Sequence, residues 1–250
     1  IPKSPLAFHS RKIGLSSNGS KIGINAGAKL TGRVGPLGIG VLGMGLDDFE
    51  NLDSDEVFVG RFTYDLFEES KVGTIFTHGD PQSNLNNQLA GVDLNLRSSN
   101  WWNEQSVSWH GFYMTSDDEN ENSDDVIGTH FTFPNYPFRA SGHWVRTGGN
   151  FNPALGFVRR RGGESTGLGF SYYFEQPENE LLEDISVGAE YDRYEWLDGD
   201  LDSDELEINL IGIRTLAGDF LGLEVEFERD ILQEPFEIID EVIIPSSEYK

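Results

Sequence analysis

The amino-acid sequence predicts an all-β chain, an antiparallel meander of roughly a dozen strands. Three observations lead to this prediction. Apolar and polar side chains alternate with a period of two in one segment after another, and helical periodicity is almost absent. Each alternating segment is long enough for one strand. Gly-rich or polar connectors separate the segments.

The strands follow from the alternating segments, taken in chain order. The clearest ones lie at 28–34, 58–65, 90–97, 106–113, 138–144, 168–174, 185–192 and 223–228. Further runs lie near 37–46, 70–77, 126–133 and 205–213. One face of each predicted strand carries aliphatic, aromatic or Gly residues, and the other face carries polar or charged residues.

Composition excludes several classes of protein. The chain has 250 residues and a formal net charge of −25, which disfavours a nucleic-acid partner because phosphate binding needs Lys and Arg. It contains no Cys, so a disulfide framework and a zinc-thiolate site are excluded. An aromatic content of 12% is too high for a disordered acidic chain.

Strand length and connector pattern favour a transmembrane β-barrel. Short connectors are expected at 35–36, 66–69, 98–103 and 135–137, and long polar ones at 47–55, 79–87, 117–125 and 196–204. Bacterial outer-membrane barrels have short turns at one end and long loops at the other. Aromatic residues near strand ends would form the interfacial girdles: Phe58, Tyr64, Tyr113, Phe138, Trp144 and Tyr191. The alternative is a soluble β-sandwich, which shows the same alternation.

In a barrel, the polar strand positions would face the lumen. The candidate binding residues at such positions are Arg61, Asp93, Arg139, His143, Glu190 and Asp192. We expect a lead-in segment at 1–20 and an incomplete outer-membrane barrel at 21–250, with more strands expected outside this segment. The segment 150–161 does not fit a strand, so it is expected to fold inward or to cap one end.

Alternating carboxylates suggest a weak divalent-cation site at Asp198, Asp200, Asp202 and Asp204. An EF-hand loop that starts at Asp198 would need Gly and Glu where this chain has Ser203 and Asn209. Loosely bound calcium is therefore the most that this loop predicts, and no other cofactor is expected. A second acidic loop contains Asp117, Asp118, Glu119, Glu121, Asp124 and Asp125.

No catalytic residue is predicted. The string Gly163-Glu164-Ser165-Thr166-Gly167 matches the G-x-S-x-G pattern of a nucleophile elbow. That motif acts at a strand-to-helix turn and requires an acid and then a His downstream. Here it precedes a predicted strand and lies after the last His of the chain, His143, so the expected structure is a turn.

Four segments resemble a known family. They are AFHSRKIG at 7–14, AGAKLTGRVGPLGIGVL at 26–42, FNPALGFVRRRG at 151–162 and EPFEIIDEVIIPSSEYK at 234–250. Together they resemble the C-terminal outer-membrane β-barrel family of unassigned function, which usually follows a carbohydrate-binding family-9-like domain in bacterial envelope proteins. The resemblance runs from Ala7 to the last residue, without the carbohydrate-binding half and much of the later barrel.

The resemblance implies a barrel in the outer membrane of a Gram-negative-type bacterium. Its expected partners are lipid, lipopolysaccharide, surface polysaccharide, and envelope proteins or further strands that would complete the barrel. The function expected from pattern and resemblance together is a non-enzymatic passage, receptor or scaffold at the cell surface. The alternatives are a soluble all-β carbohydrate-binding module, with Trp101, Trp102, Trp109 and Trp144 as stacking platforms, and a membrane-associated hydrolase.

Overall fold

The computed structural model describes residues 4–119, 123–175, 180–239 and 242–250, and over these residues the chain is all-β. Twelve long strands are present: β1 Ile24–Val34, β2 Leu37–Leu46, β3 Asp55–Leu66, β4 Ser70–His78, β5 Asn87–Ser98, β6 Val107–Asp118, β7 Asp124–Pro134, β8 Phe138–Thr147, β9 Gly163–Glu175, β10 Leu182–Trp196, β11 Leu201–Thr215 and β12 Phe220–Leu232. Three short strands follow: β13 Phe236–Ile239, β14 Val242–Ile244 and β15 Ser247–Tyr249. The predicted fold class is confirmed.

The long strands form one antiparallel meander. Their order in the sheet is the chain order from β1 to β12, and β15 then pairs with the Asp230, Ile231 and Leu232 end of β12. Strands β13 and β14 form a separate hairpin. The described part of the chain has one 3₁₀ turn at Ser10–Lys12, and no helix there is long and apolar enough to cross a membrane.

The connectors follow the expected short and long alternation only in part. The short connectors at 35–36, 67–69 and 135–137 and the long ones at 47–54 and 79–86 agree with the prediction. However, the connector expected to end at 103 extends over 99–106, because Trp101 and Gln105 close an additional turn by a backbone hydrogen bond of 3.0 Å. Conversely, the loop expected at 196–204 shrinks to 197–200, because β11 already begins at Leu201.

The chain divides into two compact units. Unit 1 comprises 1–98, 109–129 and 145–162, and unit 2 comprises 99–108, 130–144 and 163–250. The boundaries of these two units do not coincide with the expected lead-in at 1–20 and barrel at 21–250. That expected division stays a prediction. Within unit 1, the lead-in does pack on the strands, as Phe8 and Ile13 are partly buried against the cluster that contains Leu46, Val57 and Val59.

Unit 1 contains two apolar clusters on the same side of its strands. In the first cluster Phe151 packs with strand residues, and in the second Leu155 does so; both are 0% exposed. The strand residues of the clusters are Leu46, Val57, Val59, Leu89, Phe112, Met114, Val126 and Val145. The segment 150–161 thus covers a strand face, which agrees with the expectation that it folds inward or caps.

The lead-in segment joins this cover through backbone hydrogen bonds. Leu6 and Phe157 exchange two of them at 2.8 and 2.9 Å, and the His9 amide donates to the Leu155 carbonyl at 2.7 Å. Side chains of the strands satisfy further polar groups of the cover: Asn87 donates to the Asn152 carbonyl at 3.0 Å. The segment 150–161 is therefore held on the strands by hydrogen bonds as well as by apolar packing.

Unit 2 shows two chemically opposite strand faces. Strand register places Phe170, Ala189, Ile208 and Val225 in one row across β9 to β12. The adjacent row on the opposite face consists of Gly169, Glu190, Glu207 and Glu226. We call these the apolar face and the polar face of unit 2.

Unit 1 has the same division. One row across β2 to β5 contains Val41, Gly60, Phe76 and Ala90, and another contains Ile39, Phe62, Thr74 and Val92. The neighbouring positions, including Arg61 and Asp93, lie on the side that carries the two apolar clusters. We call these two sides the apolar face and the inner face of unit 1.

Candidate functional site

The inner face of unit 1 carries an ion pair between two of the six predicted binding residues. Arg61 on β3 reaches over β4 to Asp93 on β5, and its guanidinium makes a bidentate contact in which Nη2 donates to Oδ1 at 2.9 Å. Gly73 on β4 lies beneath the guanidinium, since a Cβ there would stand 2.4 Å from Nη2. The paired alignment of two planar groups is the strong form of an ion pair.

The other four predicted binding residues, Arg139, His143, Glu190 and Asp192, belong to unit 2 and share its polar face. His143 Nε2 lies 3.8 Å from Asp192 Oδ1. The ring of His143 also stacks on His130, with 5.8 Å between the ring centroids. Gly167 leaves room for His143 beside Asp192, because a Cβ at position 167 would come within 2.2 Å of His143 Cε1.

The G-x-S-x-G string is part of β9 and not the expected turn, because Glu164, Ser165 and Thr166 pair with β10 in regular register. Ser165 Oγ lies 3.1 Å from His143 Nε2, a proximity that the sequence order concealed. Asp192 approaches the same ring nitrogen, whereas a catalytic triad needs the acid at Nδ1 and the Ser at Nε2. This arrangement is a hydrogen-bonded cluster without triad geometry.

The remaining part of the polar face forms a groove of about 350 Å³. Arg139 stands at one end, with its Cζ 4.6 Å from the centroid of the Tyr173 ring and its Nη1 donating to the Tyr173 hydroxyl at 3.3 Å. Glu190 and Glu207 line the groove as well, and the register places them directly opposite each other on β10 and β11. The groove thus contains cationic and anionic side chains.

Several residues of the polar face were not among the sequence candidates. Tyr173 and Glu207 line the groove, and Glu205, Glu226 and Glu228 lie in the same two rows as Glu190 and Asp192. Their alternation with Leu206, Ile208, Val225 and Phe227 is visible in the sequence. Only the strand register shows that they stand side by side.

The four carboxylates of the suggested calcium site lie at and after the 197–200 turn. Asp198 and Asp204 have different hydrogen-bond partners. Asp204 accepts two hydrogen bonds from Arg229, one of them from Nε at 2.9 Å. Asp198 accepts a hydrogen bond from the Asp200 amide at 3.1 Å. Among the described residues no group of three or more His, Asp or Glu side chains could hold a metal ion. Loose calcium binding here stays a prediction, and Glu121 of the second acidic loop lies outside the described residues.

The Arg229 hydrogen bond lowers the pKa of Asp204 below its ordinary value. Burial of the carboxylate acts in the opposite direction, and the charges of Arg229 and Arg193 add to the lowering. Asp204 is the fourth residue of β11 and Arg229 lies opposite it, so both partners lie next to the 197–200 turn, toward the end of the two strands.

Comparison with protein-family models, with curated proteins and with solved structures finds no match for this chain. The class that its fold defines is an all-β antiparallel meander with chemically different strand faces. The resemblance to the outer-membrane barrel family stays an expectation.

Proposed function

We propose that the chain is a non-enzymatic β-barrel of a Gram-negative-type outer membrane that acts as a receptor or scaffold at the cell surface. The observation that carries this proposal is the exposure of large apolar side chains on one strand face of each unit. A water-soluble sandwich buries such a face. A membrane barrel presents it to lipid and turns the polar face inward.

Unit 1 supports the proposal through its apolar face. Leu30 on β1 is 66% exposed, Phe62 on β3 is 44% exposed and Val92 on β5 is 52% exposed. These side chains lie on alternate strand positions, and the intervening positions carry Lys29, Arg61 and Asp93. Contiguous apolar surface on a soluble monomer is rarely so extended, and it marks contact with a partner or with a membrane.

Unit 2 also exposes large apolar side chains on one strand face and carries carboxylates on the other. Leu168 on β9 is 62% exposed, Leu221 on β12 is 70% exposed and Phe227 on β12 is 60% exposed. The opposite face carries the rows of Glu residues described above. Burial of these carboxylates in hydrocarbon would be costly, so in a bilayer this face must line water or protein.

Receptor and scaffold are favoured over passage because chain segments occupy the inner face of unit 1. Phe151 and Leu155 are completely buried there, and hydrogen bonds fasten the segment that carries them. An open passage through this unit would need that face to line water. The expected ligands at the cell surface are lipopolysaccharide and surface polysaccharide, with calcium as a bridge to acidic loops.

A second candidate function is a soluble carbohydrate-binding module. Trp101 and Trp102 favour it, because they lie in the 99–106 loop of unit 2 and are 60% and 72% exposed. Exposed indole rings can stack on sugar rings. In a membrane barrel the same side chains would instead lie in the interface between lipid and water.

Detergent dependence separates the two candidates. The full chain is refolded in buffer alone and in micelles, and its dispersity and heat-modifiable migration on a gel are measured. A membrane barrel should be monodisperse only with detergent, should migrate differently before and after boiling, and should float with phospholipid vesicles in a density gradient. A monodisperse protein in plain buffer that stays at the bottom of the gradient would refute the proposal and favour the soluble module.

A further inference from the structure

The groove on the polar face of unit 2 has the size and the lining of a ligand site. Its volume of about 350 Å³ lies within the range of small-molecule pockets, roughly 300–1,000 Å³. Five adjacent strands, β7 to β11, line it. The side chains of its polar face are Thr132, Pro134, Arg139, Ser141, Ser171, Tyr173, Glu190, Glu207 and Asn209.

Small residues create the floor of the groove. Ser171 pairs with Gly188, and Gly169 pairs with Glu190, so two glycines and a serine meet where β9 and β10 adjoin. A Cβ built on Gly169 would lie 2.8 Å from Ser141 Oγ, and one built on Gly188 would lie 3.1 Å from Ser171 Oγ. Larger side chains at these positions would fill the depression.

One end of the groove presents a fixed cation. Tyr173 holds the Arg139 guanidinium by ring contact and by a hydrogen bond from Nη1, which uses one of the five N–H donors of the group. Among the residues that the structure describes, Arg139 has no carboxylate partner. A planar guanidinium held in this way is suited to a bidentate contact with a carboxylate.

The other end presents two carboxylates. Glu190 and Glu207 lie directly opposite each other in the β10–β11 register, and like charges in that position repel. An ammonium group between them would relieve the repulsion. Asn209, which lines the groove near Glu207, adds an amide that can accept a further ammonium hydrogen bond.

We propose that this groove binds a small zwitterion, with its carboxylate on Arg139 and its ammonium group between Glu190 and Glu207. The two ends of the groove are separated by four residues of β9, from Tyr173 to Gly169, which is ~13 Å along a strand. The long side chains of Glu190 and Glu207 line the groove and shorten that interval, so an amino acid whose charges stand several ångströms apart fits it. The inference goes beyond the proposed function and does not depend on what contacts the apolar face.

The test is calorimetric titration of the full chain, in the medium in which it is monodisperse, with 6-aminohexanoate. Hexanoate and hexylamine are the matched probes, since each keeps the chain and lacks one charge. We expect saturable binding of 6-aminohexanoate, with an affinity at least about tenfold above that of either single-charge probe. Absence of saturable binding, or equal binding of hexylamine, would overturn the proposal.

Variants locate the binding. Arg139→Gln and Glu190→Gln should each lower the affinity for 6-aminohexanoate about tenfold or more, and Glu207→Gln provides a second variant of the acidic end. Arg97→Gln in unit 1, which removes an exposed Arg paired with Glu69 at 3.5 Å, is the control and should leave the affinity unchanged. If 6-aminohexanoate binds the Arg139 and Glu190 variants as it binds the unaltered chain, the ligand lies elsewhere and the assignment is wrong.

Discussion

At the residue scale, Gly73 determines whether Arg61 can reach Asp93. The three residues lie on three adjacent strands, and the guanidinium crosses β4 at the one position where no side chain obstructs it. The sequence placed Arg61 and Asp93 on a common polar face through their alternation. It contained no signal that they pair, because 32 residues separate them and the contact depends on the register of β4.

We predict that Gly73→Ala uncouples this ion pair. The added Cβ would meet the guanidinium at 2.4 Å, and a flexible Arg side chain would move away more readily than the strand would. A double-mutant cycle of Arg61→Gln and Asp93→Asn, measured by urea unfolding, should give a coupling of about 1–2 kcal/mol because the pair is bidentate and partly buried. In the Gly73→Ala background the coupling should fall close to zero; an undiminished coupling would contradict this account.

At the element scale, β11 and β12 illustrate what alternation predicts and what it omits. Leu223, Val225 and Phe227 alternate with Glu residues, so the strand and its two faces could be predicted. The sequence predicts a start of β11 near 205, because Asp202 and Asp204 belong to the expected calcium loop, whereas the strand begins at Leu201. Strand pairing explains the difference: Asp204 lies opposite Arg229, and the ion pair extends the strand into the expected loop.

The Asp204–Arg229 pair predicts a pH dependence. The pKa of Asp204 is lower in the folded chain than its ordinary value of about 3.9, so its ion pair stabilises the fold above that pH. The stabilisation is lost as the pH falls through the lower pKa of the folded state. Unfolding of the unaltered chain and of Arg229→Gln should therefore differ most above pH ~4, and the difference should shrink in stronger acid.

The measurement is urea unfolding of both proteins at a series of pH values. Arg97→Gln serves as the control for loss of a surface Arg. A stability difference between Arg229→Gln and the unaltered chain that stays constant down to the acid-unfolded state would show that Asp204 is not the group that titrates.

At the scale of the whole molecule, the orientation of the faces can be tested by two neighbouring residues of β12. Leu223 belongs to the apolar face and Glu224 to the polar face of unit 2. If the apolar face contacts lipid, Leu223→Arg should destabilise the chain folded in bilayers by about 2–4 kcal/mol. Glu224→Arg should be tolerated, because it places a cation among carboxylates.

Folding into phospholipid vesicles, followed by urea titration, measures both variants. Glu224→Arg is the matched control, since it introduces the same side chain one position away on the polar face. Equal stability of the two variants in bilayers would contradict lipid contact at Leu223.

The sequence by itself determined the fold class and the two faces of each strand. A period of two is a local property, set by the direction of successive side chains, and it needs no knowledge of neighbouring strands. The tertiary structure decided which side chains meet: Arg61 with Asp93, His143 with Ser165, and the groove from Arg139 to Glu207. It also decided that the segment with Phe151 and Leu155 covers an inner face. These contacts depend on register between strands, and one residue of slippage would exchange every side chain between the faces, so local alternation cannot specify them.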